Sequence, residues 1–469
     1  MASITDDQLC REYSRARLSR DARFDGLFFT AVITTGIYCR SICPATPPKE
    51  TNVEYHQSSI SAQQAGFRPC LRCRPDSAPN SYAWIGTETT VKRAVRLIDN
   101  GALQEQSLEA LATRLGVSSR HLRALFQQYL GTSPKNYALH RQCLFAKQLL
   151  HQSDLSIADI AFASGFNSIR RFNEAMQQRL SLTPSQIRAK QASDSGDFIH
   201  LKVAFRPPMR WDKIIGFLKL RVIDGVEWVL DNRYGRTFEF AESRGFFEVW
   251  PDVHKNYLHL KLQISDIKHL SAVVQRVKVI FDLDAPMELI DQQLSNVVGE
   301  SFNYQAGLRI PGVWAGFESG VRGILGQQVS VKQAHRLVAT LVEELGAPVG
   351  FAHGQAKFYF PTPEVIVDSE LAFFRMPQSR KDTLRRLADY VLSVEEPDNY
   401  DDWLDIKGIG PWTVNYVKLR AGKDPDVWLS GDAGIKNALK LFETELDIDA
   451  AKPYRSYLGF QLWNLLGSE

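Results

Sequence analysis

The hydrophobic pattern changes period along the chain, and each change marks an expected domain. Between residues 91 and 190 apolar positions recur three and four apart, the spacing of amphipathic helices. Leu108, Leu111, Ala112 and Leu115 form one stripe, which Gly116 breaks. Ser118 and Ser119 then stand where a second helix, bearing Leu122, Leu125 and Phe126, needs a cap. The pattern repeats. Ile157, Ile160, Ala161 and Gly165-Phe166 follow Leu108, Leu111, Ala112 and Gly116-Val117 at an offset of 49. Phe172, Gln177-Gln178 and Thr183-Pro184 follow Leu122, Gln127-Gln128 and Ser133-Pro134 at an offset of 50, so one residue is inserted in the second turn. Helix, glycine-bearing turn, helix is the helix-turn-helix pattern, present here twice.

From 198 to 285 the period drops to two. Leu201–Phe205, Arg236–Phe240, Phe246–Trp250 and Tyr257–Leu262 read as antiparallel strands, with helices near Trp211–Val222 and Ile267–Phe281 packed on them. Residues 286–469 return to helical spacing. The polar stretch Gln191–Asp197 between the halves reads as a linker. The expected fold class is multidomain and mainly α. It comprises a small α/β domain over 1–82, a helical domain over 83–190, an antiparallel-sheet α+β domain over 198–285 and an all-α domain over 286–469.

Composition narrows the partners. With 44% apolar and 23% charged residues the chain is an ordinary globular one. It holds no run of about 18 apolar residues, and its first residues are polar, which predicts a cytoplasmic protein. The net charge of +3 conceals an asymmetry: residues 1–190 hold 24 Lys and Arg against 15 Asp and Glu, and the remainder holds 32 against 38. A basic front half suits a polyanionic partner.

Six cysteines are too few for a disulfide scaffold. Four form two pairs, Cys39/Cys43 and Cys70/Cys73, the spacing of a four-cysteine zinc site. Cys10 is isolated, and Cys143 falls on an apolar stripe and reads as core. Spacing alone leaves a structural zinc site and a reactive one both open. The segments Thr34-Thr-Gly-Ile-Tyr-Cys39-Arg-Ser-Ile-Cys43-Pro and Ala65-Gly-Phe-Arg-Pro-Cys70-Leu-Arg-Cys73 resemble the Ada-type metal-binding domain over residues 1–80. The resemblance implies one zinc ion and makes Cys39 both ligand and acceptor of a methyl group from a DNA methylphosphotriester. Zinc keeps a thiol ionised, and thiolate is the nucleophile. Methylation lowers the negative charge of the site where it meets phosphate. Arg40, Arg68, Arg72 and Arg74 flank the ligands, where each is open to a phosphate contact or to the plain role of a solvated surface charge.

The doubled helix-turn-helix, each copy ending in Ser/Thr-Pro, resembles the AraC-type DNA-binding domain. That implies recognition helices over about Ser119–Tyr129 and Ser168–Arg179. Arg120, His121, Arg123 and Gln127 in the first, with Asn167, Arg170, Arg171 and Asn173 around the second, are the side chains expected at base edges.

In the last domain Lys407-Gly408-Ile409-Gly410-Pro411-Trp412-Thr413 makes a tight turn before a helix, exposing backbone N–H groups to a phosphate. Asp432 follows an apolar run downstream. Hairpin and aspartate resemble helix-hairpin-helix DNA glycosylases. Together with Arg206-Pro-Pro, Ile215-Gly-Phe217-Leu, Gly320–Ser330, Arg455-Ser-Tyr and Leu462-Trp463, they resemble the AlkA-type 3-methyladenine glycosylases over 200–469. This implies Asp432 as catalytic carboxylate and Phe217, Trp412, Tyr416 and Trp463 as an aromatic pocket for an extruded alkylated base. It also implies DNA contacts at Gly408, Gly410, Thr413, Gln327 and Gln328, with Gln328 as the wedge where relatives often carry an apolar residue. Trp412 occupies the position of the Schiff-base lysine of bifunctional relatives, which implies hydrolysis without a lyase step. No cysteine follows Cys143, so no C-terminal iron–sulfur cluster is expected, and no Pro-Cys-His-Arg motif for O6-alkylguanine occurs.

The expectation is a monomeric alkylation-response protein of the bacterial cytoplasm and nucleoid. It would join a DNA-3-methyladenine glycosylase of type II to a methyl-sensing activator that meets damaged and promoter DNA and RNA polymerase. Two rivals use the same residues: a regulator whose glycosylase half is an inactive DNA clamp, and a glycosylase with a structural zinc tether and no methyl transfer.

Overall fold

Six helices of the front half begin on a serine or threonine whose hydroxyl accepts a backbone N–H of the first turn. These caps repeat with the sequence: Ser107 and Ser156 are 49 apart, and Ser118 and Ser168, like Ser133 and Thr183, are 50 apart. Each is worth about 1 kcal/mol, so the repeat is written into helix starts as well as into apolar stripes. Gly116 at φ +70° and Gly165 at φ +83° make the two turns in the left-handed region that glycine favours. The inserted residue is Asn167, between Phe166 and the cap.

The computed structural model describes all residues except 1–3, 5, 22–23, 26, 58–60, 63–64, 71–72, 74–88, 189–197, 253, 300–303, 352, 395–396, 443–445 and 467–469. The expected linker Gln191–Asp197 and the residues Arg72 and Arg74 lie outside the described residues. The chain forms two compact units, Met1–Phe205 with Asp266–Gln275, and Arg206–Ser265 with Arg276–Glu469.

In the first unit, strands β1 (Phe29–Val32), β2 (Ile37–Arg40), β3 (Val53–His56) and β4 (Arg68–Pro69) make a sheet in the order β3-β1-β2-β4. β1 pairs antiparallel with both β2 and β3, and β4 pairs parallel with β2. The helix Asp7–Ser19 packs its Tyr13 ring on Phe28, 4.3 Å between centroids, beside Tyr55. The helical part follows. Ser119–Leu130 and Ile169–Leu180 are the second helices of the two copies, within a residue of expectation. Leu108, Leu111, Ala112, Leu122 and Phe126 fill the first copy's core, and Ile160, Ala161, Phe172 and Met176 fill the second. The 19-residue helix Pro134–Gln152 runs between the copies and buries Cys143 completely, as its apolar stripe predicts. The strand β5 (Ile199–Ala204) falls within the residues of this unit.

In the second unit β6 (Glu227–Leu230), β7 (Arg233–Phe240), β8 (Ser243–Pro251) and β9 (Tyr257–Ile264) pair antiparallel in sequence order. β6 escaped the alternation pattern. Its signal was the two-residue loop Asp231-Asn232, whose residues both take positive φ, as a type I′ hairpin requires. The helix Gly316–Leu325 is buried nearly throughout. At Gly320 a Cβ would stand 2.6 Å from Trp403 and 2.7 Å from Leu387, so only glycine lets the fully buried Trp403 pack there.

Sheet and helix are also tied by buried charge. Arg236 on β7 bonds Glu318 at 2.8 Å and Glu227 on β6 at 3.3 Å, and Arg322 reaches Glu227 at 2.8 Å and Glu318 at 2.6 Å. Tyr234 donates to Glu227 at 2.7 Å. Burial pushes the Glu227 carboxyl upward, but Arg322 and Arg236 prevail and hold it at about 2. A closed network of this kind specifies one packing more than it adds stability, and losing a single member is costly.

Candidate functional sites

The zinc site is assembled by the parallel pairing of β2 with β4. Tyr38 stands opposite Pro69, and the Cys70 N–H donates to the Tyr38 carbonyl at 3.0 Å. This brings the end of β2, with Cys39, beside the start of the second cysteine pair. All four Sγ atoms lie within 4.8 Å of one another. Tetrahedral zinc–thiolate geometry places sulfurs roughly 3.8 Å apart, so the donor set and its spacing fit one Zn²⁺. Cys70 and Cys73 are buried, whereas Cys39 and Cys43 are partly exposed. The Arg40 N–H donates to Cys73 Sγ at 3.4 Å. The Arg40 side chain is turned inward, 12% exposed, and paired with Asp25. The expected phosphate contact at Arg40 is therefore corrected to a brace, because its guanidinium is spent within the domain. Arg68 lies at the surface boundary of β4.

In the helical part Arg120, His121, Arg123, Gln127, Asn167, Arg170, Arg171 and Asn173 are all exposed. Arg123 pairs with Glu109 at 3.2 Å and Arg170 with Glu174 at 2.9 Å. Exposed pairs of this kind are weak and exchange readily for phosphate or base contacts.

The second unit holds a cavity of about 910 Å³. Its walls come from the helices Trp211–Lys219, Gly316–Leu325, Val331–Leu345, Pro411–Val417 and Arg455–Leu466. Phe217, Trp412, Tyr416, Trp463 and Asp432, separated in sequence, all line it. Asp432 caps the helix Ala433–Leu439: its Oδ1 accepts the Ile435 N–H at 3.0 Å and the Trp463 indole Nε1–H at 2.9 Å. Asp432 is thus both cap and cavity carboxylate: both donors use Oδ1, and among the described residues no donor reaches Oδ2. Gly434 lets the indole approach, because a Cβ there would stand 3.2 Å from Trp463.

The aromatic set is not four equivalent plates. Trp412 and Tyr416, one helical turn apart, stack on each other at 5.3 Å and 12°. Phe217 has the Arg221 guanidinium 3.7 Å from its centroid and that of Arg420 at 4.9 Å, with Phe460 edge-on at 5.0 Å. The sequence reading offered Phe217 to a cationic base. Its π surface is engaged by the chain's own cations.

The hairpin precedes this cavity wall. Gly408, at φ +100°, has Thr383 Oγ1 2.0 Å from where a Cβ would stand, so the turn admits only glycine. Gly410 is the N-cap of Pro411–Val417 and has no side chain to cap with. Gln327 Nε2 donates to the Gly408 carbonyl at 3.2 Å and to Thr413 Oγ1 at 3.4 Å, tying the hairpin to the cavity rim. Thr413 is 2% exposed, so its side chain faces inward, and the expected DNA contact there falls to its backbone N–H in the first turn of the helix. Gln328 is exposed at the rim with φ +56°, a strained conformation for a residue with a side chain.

Arg221, Arg322, Arg420 and His335 also line the cavity and went unread in the sequence. A signal existed for two of them. Arg221 follows Phe217, and Arg420 follows Tyr416, by four residues, the spacing that stacks side chains on a helix. Arg420 additionally lies in a π-helical turn, Lys418–Gly422, which no periodicity announces.

Zinc-ligand cluster, doubled helix-turn-helix and cavity with a hairpin together define a DNA-binding and DNA-repair fusion. Comparison with known proteins agrees. Residues 12–76 match the metal binding domain of Ada, residues 111–190 a helix-turn-helix domain and residues 200–315 the AlkA N-terminal domain. The chain is 34% identical over 482 residues to the probable bifunctional transcriptional activator/DNA repair enzyme AlkA of Mycobacterium tuberculosis, covering 96% of this chain and 95% of that one. It is 29% identical over 273 residues to DNA-3-methyladenine glycosylase 2 of Escherichia coli, covering 55% of this chain and 95% of that one. It is 31% identical over 185 residues to the bifunctional transcriptional activator/DNA repair enzyme Ada of Escherichia coli, covering 39% and 49%. The chain belongs to the family of bifunctional transcriptional activator/DNA repair enzymes of the AlkA kind. Among the described residues no helix is long and apolar enough to cross a membrane.

Proposed function

We propose that the second unit is a monofunctional DNA glycosylase for alkylated purines, and that Asp432 is its catalytic residue. The observation that carries this is Asp432 on the cavity wall, aimed by the Ile435 N–H and the Trp463 indole, with aromatic faces around it. A damaged base extruded from the duplex enters the cavity, and the C1′–N bond breaks with its electron pair leaving on the base. The Asp432 carboxylate stabilises the oxocarbenium-like sugar and accepts the proton of the water that adds at C1′. Trp412, at the position a lyase would need as lysine, offers no amine, so the sugar is left as an abasic site. Gln328 fills the gap in the stack, while Gly408 and Gly410 present N–H groups to the backbone. Base release from duplexes holding 3-methyladenine, by the wild type and by Asp432→Asn, tests this. Release by the wild type alone is expected. Release by neither, with DNA binding intact, would favour a regulator that uses the fold only as a clamp.

The first unit adds a sensor. Partial exposure sets Cys39 and Cys43 apart from the buried pair, and the likeness to the Ada metal-binding domain selects Cys39 as acceptor: its thiolate attacks the methyl carbon of a phosphotriester, an S–C bond forms, and the C–O bond electrons leave with the phosphodiester. Zinc held by Cys39, Cys43, Cys70 and Cys73 would keep that thiol ionised at neutral pH. The less negative domain then binds promoter DNA together with Arg120, Arg123, Arg170 and Arg171, recruiting RNA polymerase. The protein acts as a monomer in the cytoplasm, on the nucleoid. A mass gain of one methyl group on Cys39 after exposure to methylated DNA is expected; its absence would leave the zinc domain a structural tether.

A further inference from the structure

The helix Val331–Leu345 carries Val331, Ala334, His335 and Val338 on one face, and all four line the cavity. Val331 is exposed and Val338 is buried, so His335 stands between the open rim and the closed depth of the wall. It is the one histidine among the described lining residues, and the chemistry assigned to Asp432 does not use it.

The two ring nitrogens differ. Nε2 is shut away from solvent and meets neither donor nor acceptor. Nδ1 is not closed off in this way, and among the described residues nothing bonds to it. Other polar side chains of the wall are engaged. Glu227 and Glu318 neutralise Arg322, the Tyr416 hydroxyl accepts from Arg420, Gln327 is spent on the hairpin, and the Ser330 hydroxyl caps its helix. Arg221 and Arg420 have no carboxylate partner among the described residues, but Arg221 covers the Phe217 ring and Arg420 is tied to the Pro311 and Gly312 carbonyls.

Which nitrogen of a neutral imidazole carries the proton is set by the bond that the other nitrogen makes. Nε2 makes none, and it stays unpaired with or without the proton, so neither tautomer is selected from behind. The open Nδ1 is a donor in one tautomer and an acceptor in the other. A purine in the cavity presents at C6 a carbonyl if it derives from guanine and an amino group if it derives from adenine. A fixed donor would suit the first and oppose the second, and a fixed acceptor the reverse.

We propose that His335 is a specificity-determining residue whose open nitrogen pairs with the C6 edge of the extruded base, exchanging tautomers so that one cavity takes both adenine- and guanine-derived alkylated purines. The ring is uncharged in either tautomer, so the contact does not oppose a cationic base. The proposal rests on the glycosylase reading and deepens its substrate class.

The test uses the full chain and one preparation of DNA treated with a methylating agent, from which released 3-methyladenine and 7-methylguanine are measured together. Both lesions are cationic in DNA, and they differ at C6 as amino and carbonyl. His335→Leu, with no polar atom, is expected to slow both releases about fivefold. His335→Gln, whose amide turns to offer a donor or an acceptor, is expected to keep both within about twofold of wild type. His335→Lys offers donors only, and its charge acts on both lesions alike. It is expected to raise the ratio of 7-methylguanine to 3-methyladenine release about fivefold. An unchanged ratio in a folded lysine variant would overturn the proposal. So would an equal loss in the leucine and glutamine variants, which would make His335 a packing residue; this pair carries the test should the lysine variant fail to fold. Failure of the wild type to release either base would overturn the glycosylase reading itself, and the proposal with it.

Discussion

The zinc cluster and the base cavity both gather reactive groups, but with opposite materials. The cluster takes four identical soft ligands from residues 39 to 73 and closes them with one strand pairing. The cavity takes a carboxylate, aromatics and arginines from residues 217 to 463 and holds them on several helices and the turns beside them. A cluster built on one ion is all-or-none, since each ligand is needed for the same bond set. A cavity built from independent helices is graded: single positions can be altered, at separate costs, while the rest persists.

That contrast can be broken or sharpened by experiment. The largest effect is expected from removing zinc, by chelation or by Cys70→Ser. Structural zinc contributes about 10–16 kcal/mol to small domains, so the fold over residues 12–76 should be lost cooperatively. Base release should stay within about twofold, and a parallel loss of both would show the two sites to be one cooperative system. Next comes Glu227→Gln, which leaves Arg322 and Arg236 short of a carboxylate in a buried network. It should cost about 3–5 kcal/mol in denaturant unfolding of the second unit. The sign with pH follows from Glu227 being held at about 2, below its ordinary 4.5. The stability it contributes is present above pH 4.5 and is lost as pH falls toward 2. A second unit equally stable across that range would dismiss the network.

Asp432→Asn isolates chemistry from capping. Asparagine caps as well as aspartate, so the melting temperature should hardly move, whereas base release should fall about 10²–10³-fold. A variant that melts early instead would mark Asp432 as a cap alone. The smallest effect is at the rim. Gln328→Gly relieves a φ of +56° and should stabilise the unit by about 1 kcal/mol while slowing excision several-fold through loss of the wedge. Faster excision would remove Gln328 from that role.

Legibility follows the same division. The zinc ligands, the doubled helix-turn-helix and its caps lie within short stretches, where spacing alone constrains geometry. Asp432 and the four aromatics were reached through motif resemblance rather than periodicity, because nothing local says that residue 217 meets residue 463. Arg40 shows the converse failure. It sits in the right motif, yet Asp25 claims it for the interior.

The sequence by itself determined most of the elements, the repeat with its single insertion and the four-cysteine ligand set, since each is a matter of local period or spacing, whereas Asp432 was reached through resemblance. Only the tertiary structure decided that Phe217 is covered by Arg221, that Arg322 is neutralised while Arg221 and Arg420 are not, and that Asp432 is aimed by an indole 31 residues away. The physical reason is that charge and stacking act through distance in space, and the elements that set those distances are joined by contacts between residues far apart in the sequence.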